Sequence, residues 1–247
     1  MIPDLPSLDR LLSGEPVPLR QDSELHVRVL KKSELELVVE FRKAIFERGL
    51  DNPDFVRPEP DEVKAVAVML EGEGISFGVF DGECLIAYTS MCIPTKANTL
   101  AEMGLLAAIT KFCAVDDVAY MPANMVNPSF RGRGVNNALV TLKYEIAPLL
   151  GRNHRFGMCS ISNTVALHNQ LKYYAIVDIL KLEDTNFGPL TRFLTYSPVR
   201  SLQHRGPVFW VGAADKERQM DLLESRYRGV KCRVDASGIQ VGYRLIA

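Results

Sequence analysis

Two arginines and two glycines in strict alternation, Arg131-Gly132-Arg133-Gly134, stand between an apolar run and an amphipathic one. Arginine supplies fixed positive charge, and glycine lets a backbone turn tightly and approach whatever it binds. Upstream, Val118 to Val126 reads as an apolar strand. Downstream, residues 135, 138, 139, 142, 146, 149 and 150 are apolar at steps of three and four, one face of a helix that Gly151 ends. A helix opening out of such a turn aims its first N–H groups and the positive end of its dipole back into the turn. The chemistry that fits is capture of an anion, usually phosphate.

Three phosphate loops compete for this reading. The G-x-x-x-x-G-K-[ST] loop needs a Gly-Lys pair, and the chain has none. The dinucleotide fingerprint G-x-G-x-x-G needs a third glycine where Asn137 stands. The run Arg131-Gly132-Arg133-Gly134-Val135-Asn136 resembles the R/Q-x-x-G-x-G/A loop of the GNAT superfamily of acyl-CoA N-acyltransferases in every place but the last, and Val126-Asn127-Pro128-Ser129-Phe130 looks like its usual lead-in. Taken alone, the same stretch also fits a plain strand–turn–helix connection with surface arginines.

The resemblance implies a fold of the α/β (α+β) class: a mixed, mostly antiparallel central sheet of about seven strands flanked by helices, with a splayed fourth and fifth strand pair. It implies acetyl-CoA or another acyl-CoA as cofactor, held by the loop residues Arg131, Gly132, Arg133, Gly134, Val135 and Asn136. Free backbone groups of Asn124, Met125 and Val126 would pair with the pantetheine amides and polarise the acyl carbonyl. Asn163 looks like the family asparagine that contacts the cofactor; as a bare residue it is a good helix N-cap. Where many members carry a basic carboxylate, Tyr120 stands here. Its reference pKa of about 10 makes it a poor base, which leaves the work to a water chain or to Asp116, Asp117 or Glu102, each of which also reads as a surface acid or cap. In the family's N-x-x-A-x-x-x-Y pattern, Asn163-Thr164-Val165-Ala166 matches the first half, and Gln170 holds the place of the acidic tyrosine. Tyr173 could replace it only if the helix is shifted; otherwise Tyr173 and Tyr174 are packing residues.

Composition sets the outer limits. The chain has 247 residues, 47% hydrophobic and 24% charged, enough for a core of ordinary size. A net charge of −1 gives no global attraction to nucleic acid or an anionic membrane, and the Arg-rich segment from Arg226 to Arg233 reads as a solvated strand or turn. Five scattered cysteines without a C-x-x-C pair read as reduced thiols in the cytoplasm. The four histidines form no pair at metal-binding spacing. No signal pattern and no run of membrane-spanning length is present.

Along the chain, residues 1–24 read as an N-terminal arm, 25–212 as the acyltransferase domain, and 213–247 as a helix-plus-strand extension packed on it. Expected elements are an edge strand at 26–30 and a helix capped by Ser33 and Glu36 and ending near Arg48. A second helix follows to about Glu71, then a hairpin turning at Asp81-Gly82. A helix is expected over 98–113, weakened by Gly104. After the loop helix come a strand at 156–161, a helix from Asn163 to about Tyr173 and a strand at 176–182. Three Gly/Ser-Pro pairs mark 183–207 as a long connection. A short strand at 208–211, a helix over 214–228 and a closing hairpin complete the order. The substrate would sit between the 49–60 loop, the 183–207 loop and the strand carrying Asn124. The function implied is transfer of an acetyl group to a primary amine of a small molecule or peptide, with a homodimer left open. The rival is a non-catalytic acyl-CoA sensor or partner-binding module.

Overall fold

The structure is a computed structural model that describes residues 5–19, 22–48, 61–122, 124–182, 190–198 and 202–246. The chain opens with α1 (Leu5–Leu12), β1 (Val17–Leu19), β2 (Asp22–Val29), α2 (Leu35–Glu47), α3 (Glu62–Leu70), β3 (Gly74–Asp81) and β4 (Cys84–Cys92). Two short helices follow, α4 (Ala97–Glu102) and α5 (Leu106–Ile109), then β5 (Val118–Met121), β6 (Asn124–Val126) and α6 (Val135–Leu149). The remainder is β7 (His154–Ser160), α7 (Thr164–Gln170), β8 (Ala175–Leu182), β9 (Leu190–Pro198), β10 (His204–Gly212), α8 (Lys216–Glu224), β11 (Tyr227–Asp235) and β12 (Gly238–Ile246). The mixed α/β, antiparallel character matches expectation; the described residues hold twelve strands where about seven were expected.

Two compact units emerge. The first comprises Met1–Asn52, Val56–Thr95 and Ala119–Arg152. Its strands β1, β2, β3 and β4 pair antiparallel in sequence order, and β5 and β6 both pair with β4. Strands β3 and β4 are buried on both faces over most of their length, with Ser76, Thr89 and Ser90 buried among the apolar residues. Helices α2 and α3 bring Val38, Phe46 and Val66 onto Phe80, Leu85, Tyr88 and Met125. The expected hairpin is present one residue later: Asp81 pairs with Cys84, so Gly82, with φ of 55°, and Glu83 make the turn. Residues 5–19 form α1 and β1, with Leu8, Leu11, Val17 and Leu19 buried.

The second unit comprises the described residues of Lys96–Val118 and Asn153–Ala247. Its strands run β7-β9-β8-β11-β12-β10, all antiparallel. Leu167 of α7 and Leu222 and Leu223 of α8 pack on Ile176, Phe193, Val211, Val241 and Tyr243.

Several expectations change. The strand expected at an edge is β2, with β1 on one side and β3 on the other, and the helix expected over 214–228 ends at Glu224. The helix over 98–113 is two helices, because Gly104 takes φ of 68° and its N–H closes on Ala101 O at 2.9 Å, ending α4. The connection at 183–207 contains β9 and the start of β10. The helix after Asn163 stops at Gln170, short of Tyr173. The Ser33–Glu36 capping box is absent; the Glu34 carboxylate instead accepts from the Lys31 N–H at 2.8 Å. The 49–60 loop lies outside the described residues. No helix among those described is long and apolar enough to cross a membrane.

Candidate cofactor site and the residues around it

The apolar stretch 118–126 is two strands, with Pro122 between them. Proline lacks the N–H a ladder needs, so pairing is interrupted there. Beyond the break, β6 pairs with β4 through Thr89↔Asn124, Tyr88↔Met125 and Ala87↔Val126, and with no other strand among the described residues. A three-residue strand with one neighbour keeps main-chain groups along its other edge for a ligand to meet.

After β6, the Asn127 side chain accepts from the Ser129 N–H at 3.1 Å and sets up a single 3₁₀ turn over Pro128–Phe130. Arg131 is extended, and Gly132 and Gly134 take φ of 82° and 81°, the left-handed region that glycine enters without strain. A Cβ on Gly132 would meet open space, so the backbone conformation, not crowding, calls for glycine there. All four residues 131–134 are exposed. Gly134 is the N-cap of α6 and has no side chain to accept from the first-turn N–H groups. Left-handed glycines that lead into an uncapped helix start leave its first N–H groups for an anion to meet.

Side chains tie this loop to its surroundings. Asn124 accepts from the Thr89 hydroxyl at 2.6 Å and donates to Asn136 Oδ1 at 2.8 Å, linking β4, β6 and the first turn of α6. The residue that departs from the family loop, Asn136, is thus a bonding partner of another predicted cofactor residue. Met125 is buried in the apolar core, Val126 half-buried, and Val135 buried under α6. Arg133 donates through Nε to Asp22 Oδ2 at 2.7 Å, lies 3.8 Å from Glu24, and stacks over Phe130 at 5.3 Å.

Lys143 was missed in the sequence. It lies wholly buried on α6, where burial pulls its amine down to about 7, and Nζ donates to the Ser90 carbonyl of β4 at 3.3 Å. A lysine inside a helix looks like any surface lysine in one dimension; only its place on the apolar face, one step after Leu142, hints at burial. Tyr120 on β5 is buried opposite Cys92.

The remaining predicted residues belong to the second unit. Asn163 caps α7, its Oδ1 accepting from the Ala166 N–H at 3.0 Å. Gln170 donates to Met158 O at 3.1 Å and accepts from the Thr195 hydroxyl at 3.0 Å, which fixes its amide between β7 and β9. Tyr173 is half-buried in the turn after α7, its N–H on Gln170 O at 2.9 Å. Of the candidate acids, Glu102 and Asp116 are exposed. Asp117 accepts from the Asn153 N–H at 2.8 Å and lies 3.5 Å from His154 Nε2. His154 Nδ1 in turn is 2.8 Å from the Tyr196 hydroxyl, whose pKa burial pushes up to about 12.

The fold these elements build is that of the GNAT N-acetyltransferases. No family model matches the chain, and no curated protein matches it in sequence. Solved structures match it in fold. A GCN5-related N-acetyltransferase from Kribbella flavida is 17% identical, with a TM-score of 0.52 over 71% of this chain and 98% of that one. The ribosomal-protein-S18-alanine N-acetyltransferase from Escherichia coli is 13% identical, with a TM-score of 0.52 over 75% and 99%. A candidate acetyltransferase from Salmonella typhimurium, solved with its cofactor acetyl-CoA, is 11% identical, with a TM-score of 0.54 over 74% and 97%. At these identities the likeness establishes the fold.

Proposed function

We propose that the chain is an acyl-CoA N-acyltransferase that moves an acetyl group from acetyl-CoA to a primary amine of a small molecule or peptide within a ternary complex. One observation carries this reading: an exposed loop with two left-handed glycines runs into an uncapped helix start, directly after a strand paired on one edge. The first-turn N–H groups of Val135 and Asn136 receive the pyrophosphate, with Arg131 adding charge. The open edge of Asn124–Val126 takes the pantetheine amides and polarises the thioester carbonyl. The neutral amine attacks that carbonyl, the C–N bond forms as the C–S bond breaks, the nitrogen gives up a proton to solvent and the departing thiolate takes one up. Gln170, at the place of the family's acidic tyrosine, has no acidic proton and both ends of its amide are engaged, so this reading takes the proton from solvent.

Those same features support a second reading, a module that binds acyl-CoA without turnover: Tyr120 is buried at the base position and Gln170 stands at the acid position. Calorimetry with CoA and a thiol-release assay against amines and peptide N-termini separate the two. Binding with release supports transfer, and binding without release under any amine supports the module. Absence of CoA binding refutes both.

A further inference from the structure

The C-terminal strands carry a feature that cofactor binding does not use. In register, Arg228 stands directly opposite Arg244, Lys231 opposite Gly242, Arg233 opposite Gln240, and Trp210 opposite Gly242. Cross-strand partners share a face, so these cations and the indole lie on one side of β10, β12 and β11, opposite to the buried Val211, Val241 and Tyr243. Like charges placed directly across a ladder destabilise it. Burial, and then Arg226, lower the Arg228 pKa; burial, and then Arg244, lower that of His204. The Arg244 Nε and His204 Nδ1 atoms are buried with no hydrogen-bond partner. The acids that touch this face are Asp235, 3.3 Å from Arg233 Nε, and Asp178, which acts on Arg228. Lys231 and Arg233 are exposed.

Trp210 adds a flat surface to this charge. A Cβ on Gly242 would sit 3.1 Å from Trp210 Cζ3, so the indole lies over the glycine backbone. The Arg233 guanidinium stacks on the indole at 4.2 Å from its centroid. A stacked guanidinium and indole with further cations on the same face is the chemistry that receives a nucleobase and its neighbouring phosphates. An acidic peptide would answer the charge and leave the stack unused.

We propose that this face of β10, β12 and β11 binds single-stranded nucleic acid, with phosphates on Lys231, Arg233 and Arg244 and a base against the Trp210–Arg233 stack. The near-zero net charge of the chain excludes a global field and leaves this local one intact. Arg228 itself is engaged, its Nη1 donating to the Leu223 and Tyr227 carbonyls at 2.9 and 2.7 Å.

Trp210 is the chain's single tryptophan, so intrinsic fluorescence reads this face directly. Titration of the full chain with a uridine dodecamer is expected to quench it. Three phosphate contacts give a log–log salt slope of about −2, a loss of roughly fifteen- to twenty-fold between 50 and 200 mM salt. The double variant Lys231→Glu/Arg233→Glu is expected to lose at least ten-fold in affinity. Lys216→Glu/Arg218→Glu, with the same change of net charge on α8, is expected to lose less than three-fold. Arg244→Gln, which removes the charge and keeps a polar side chain, is the second variant should the double reversal unfold, and is expected to flatten the salt slope by about 0.7. Absence of quenching, or equal losses in the two double variants, overturns the proposal. So does stronger quenching by poly-glutamate or by vesicles rich in anionic lipid, which would assign the face to an acidic protein or a membrane.

Discussion

Replacing Lys143 by methionine should make the protein more stable near neutral pH and progressively less so in alkali. Burial lowers the lysine from 10.5 to about 7, with the Ser90 carbonyl as its acceptor. Between those two values the unfolded chain holds a proton that the folded chain lacks, so wild-type stability rises with pH across the window. Below about 7 the penalty is fully present. Between pH 7 and pH 9 the wild type should therefore gain about 2 kcal/mol relative to Lys143→Met, which cannot titrate. Terms that do not depend on pH, such as the lost bond to Ser90 and the altered packing, cancel from this difference. For a chain of this length the gain corresponds to about 4–8 °C in Tm. Thermal melts of both proteins at pH 6, 7, 8 and 9 test it. A difference in Tm that stays constant within a degree from pH 7 to 9 would show that Lys143 keeps its charge when folded, and the burial argument would fall.

Four further outcomes follow from the cofactor site. Gly134→Val forces a β-branched residue to φ of 81° and blocks the approach of phosphate; CoA affinity by calorimetry should drop at least ten-fold, and an unchanged value counts against the loop. Asn136→Gly restores the family's small residue but breaks the bond to Asn124, costing about 1 kcal/mol, read as a lower Tm. Asp22→Asn releases Arg133 from its carboxylate, so CoA should bind about two- to five-fold more tightly at low salt, with the gain fading at high salt. With α7 capped by Asn163 and ending at Gln170, Tyr173→Phe should leave the rate of thiol release unaltered; a slower rate with unchanged CoA binding would make Tyr173 the proton donor.

Much of this was legible in one dimension where local rules and burial agree. The periodicity from Val135 and the stop at Gly151 place α6 almost to the residue, and Asp81-Gly82 marks the hairpin. Asn163 is an N-cap in both readings. Errors arose where one strong signal masked another. Prolines and glycines across 183–207 outweighed the β-branched and aromatic run Leu190–Pro198, which is β9. Alanine and leucine across 98–113 outweighed Gly104, whose left-handed backbone splits the helix. Side-chain pairings between distant segments, such as Asp22 with Arg133 and Asn124 with Asn136, left no trace in spacing. Nor did the Arg228–Arg244 opposition, which exists only once β11 and β12 are in register.

The brevity of β6 has a protective side. A bare hydrogen-bonding margin invites foreign strands, and proteins usually blunt it with charge, proline or a covering helix. Here the margin is Asn124–Val126, three residues, with Pro122 just upstream and a 3₁₀ turn just downstream. That is too short for an intruding chain to zip onto, yet long enough for the couple of amides in a small ligand's arm. Length alone sorts welcome guests from aggregation.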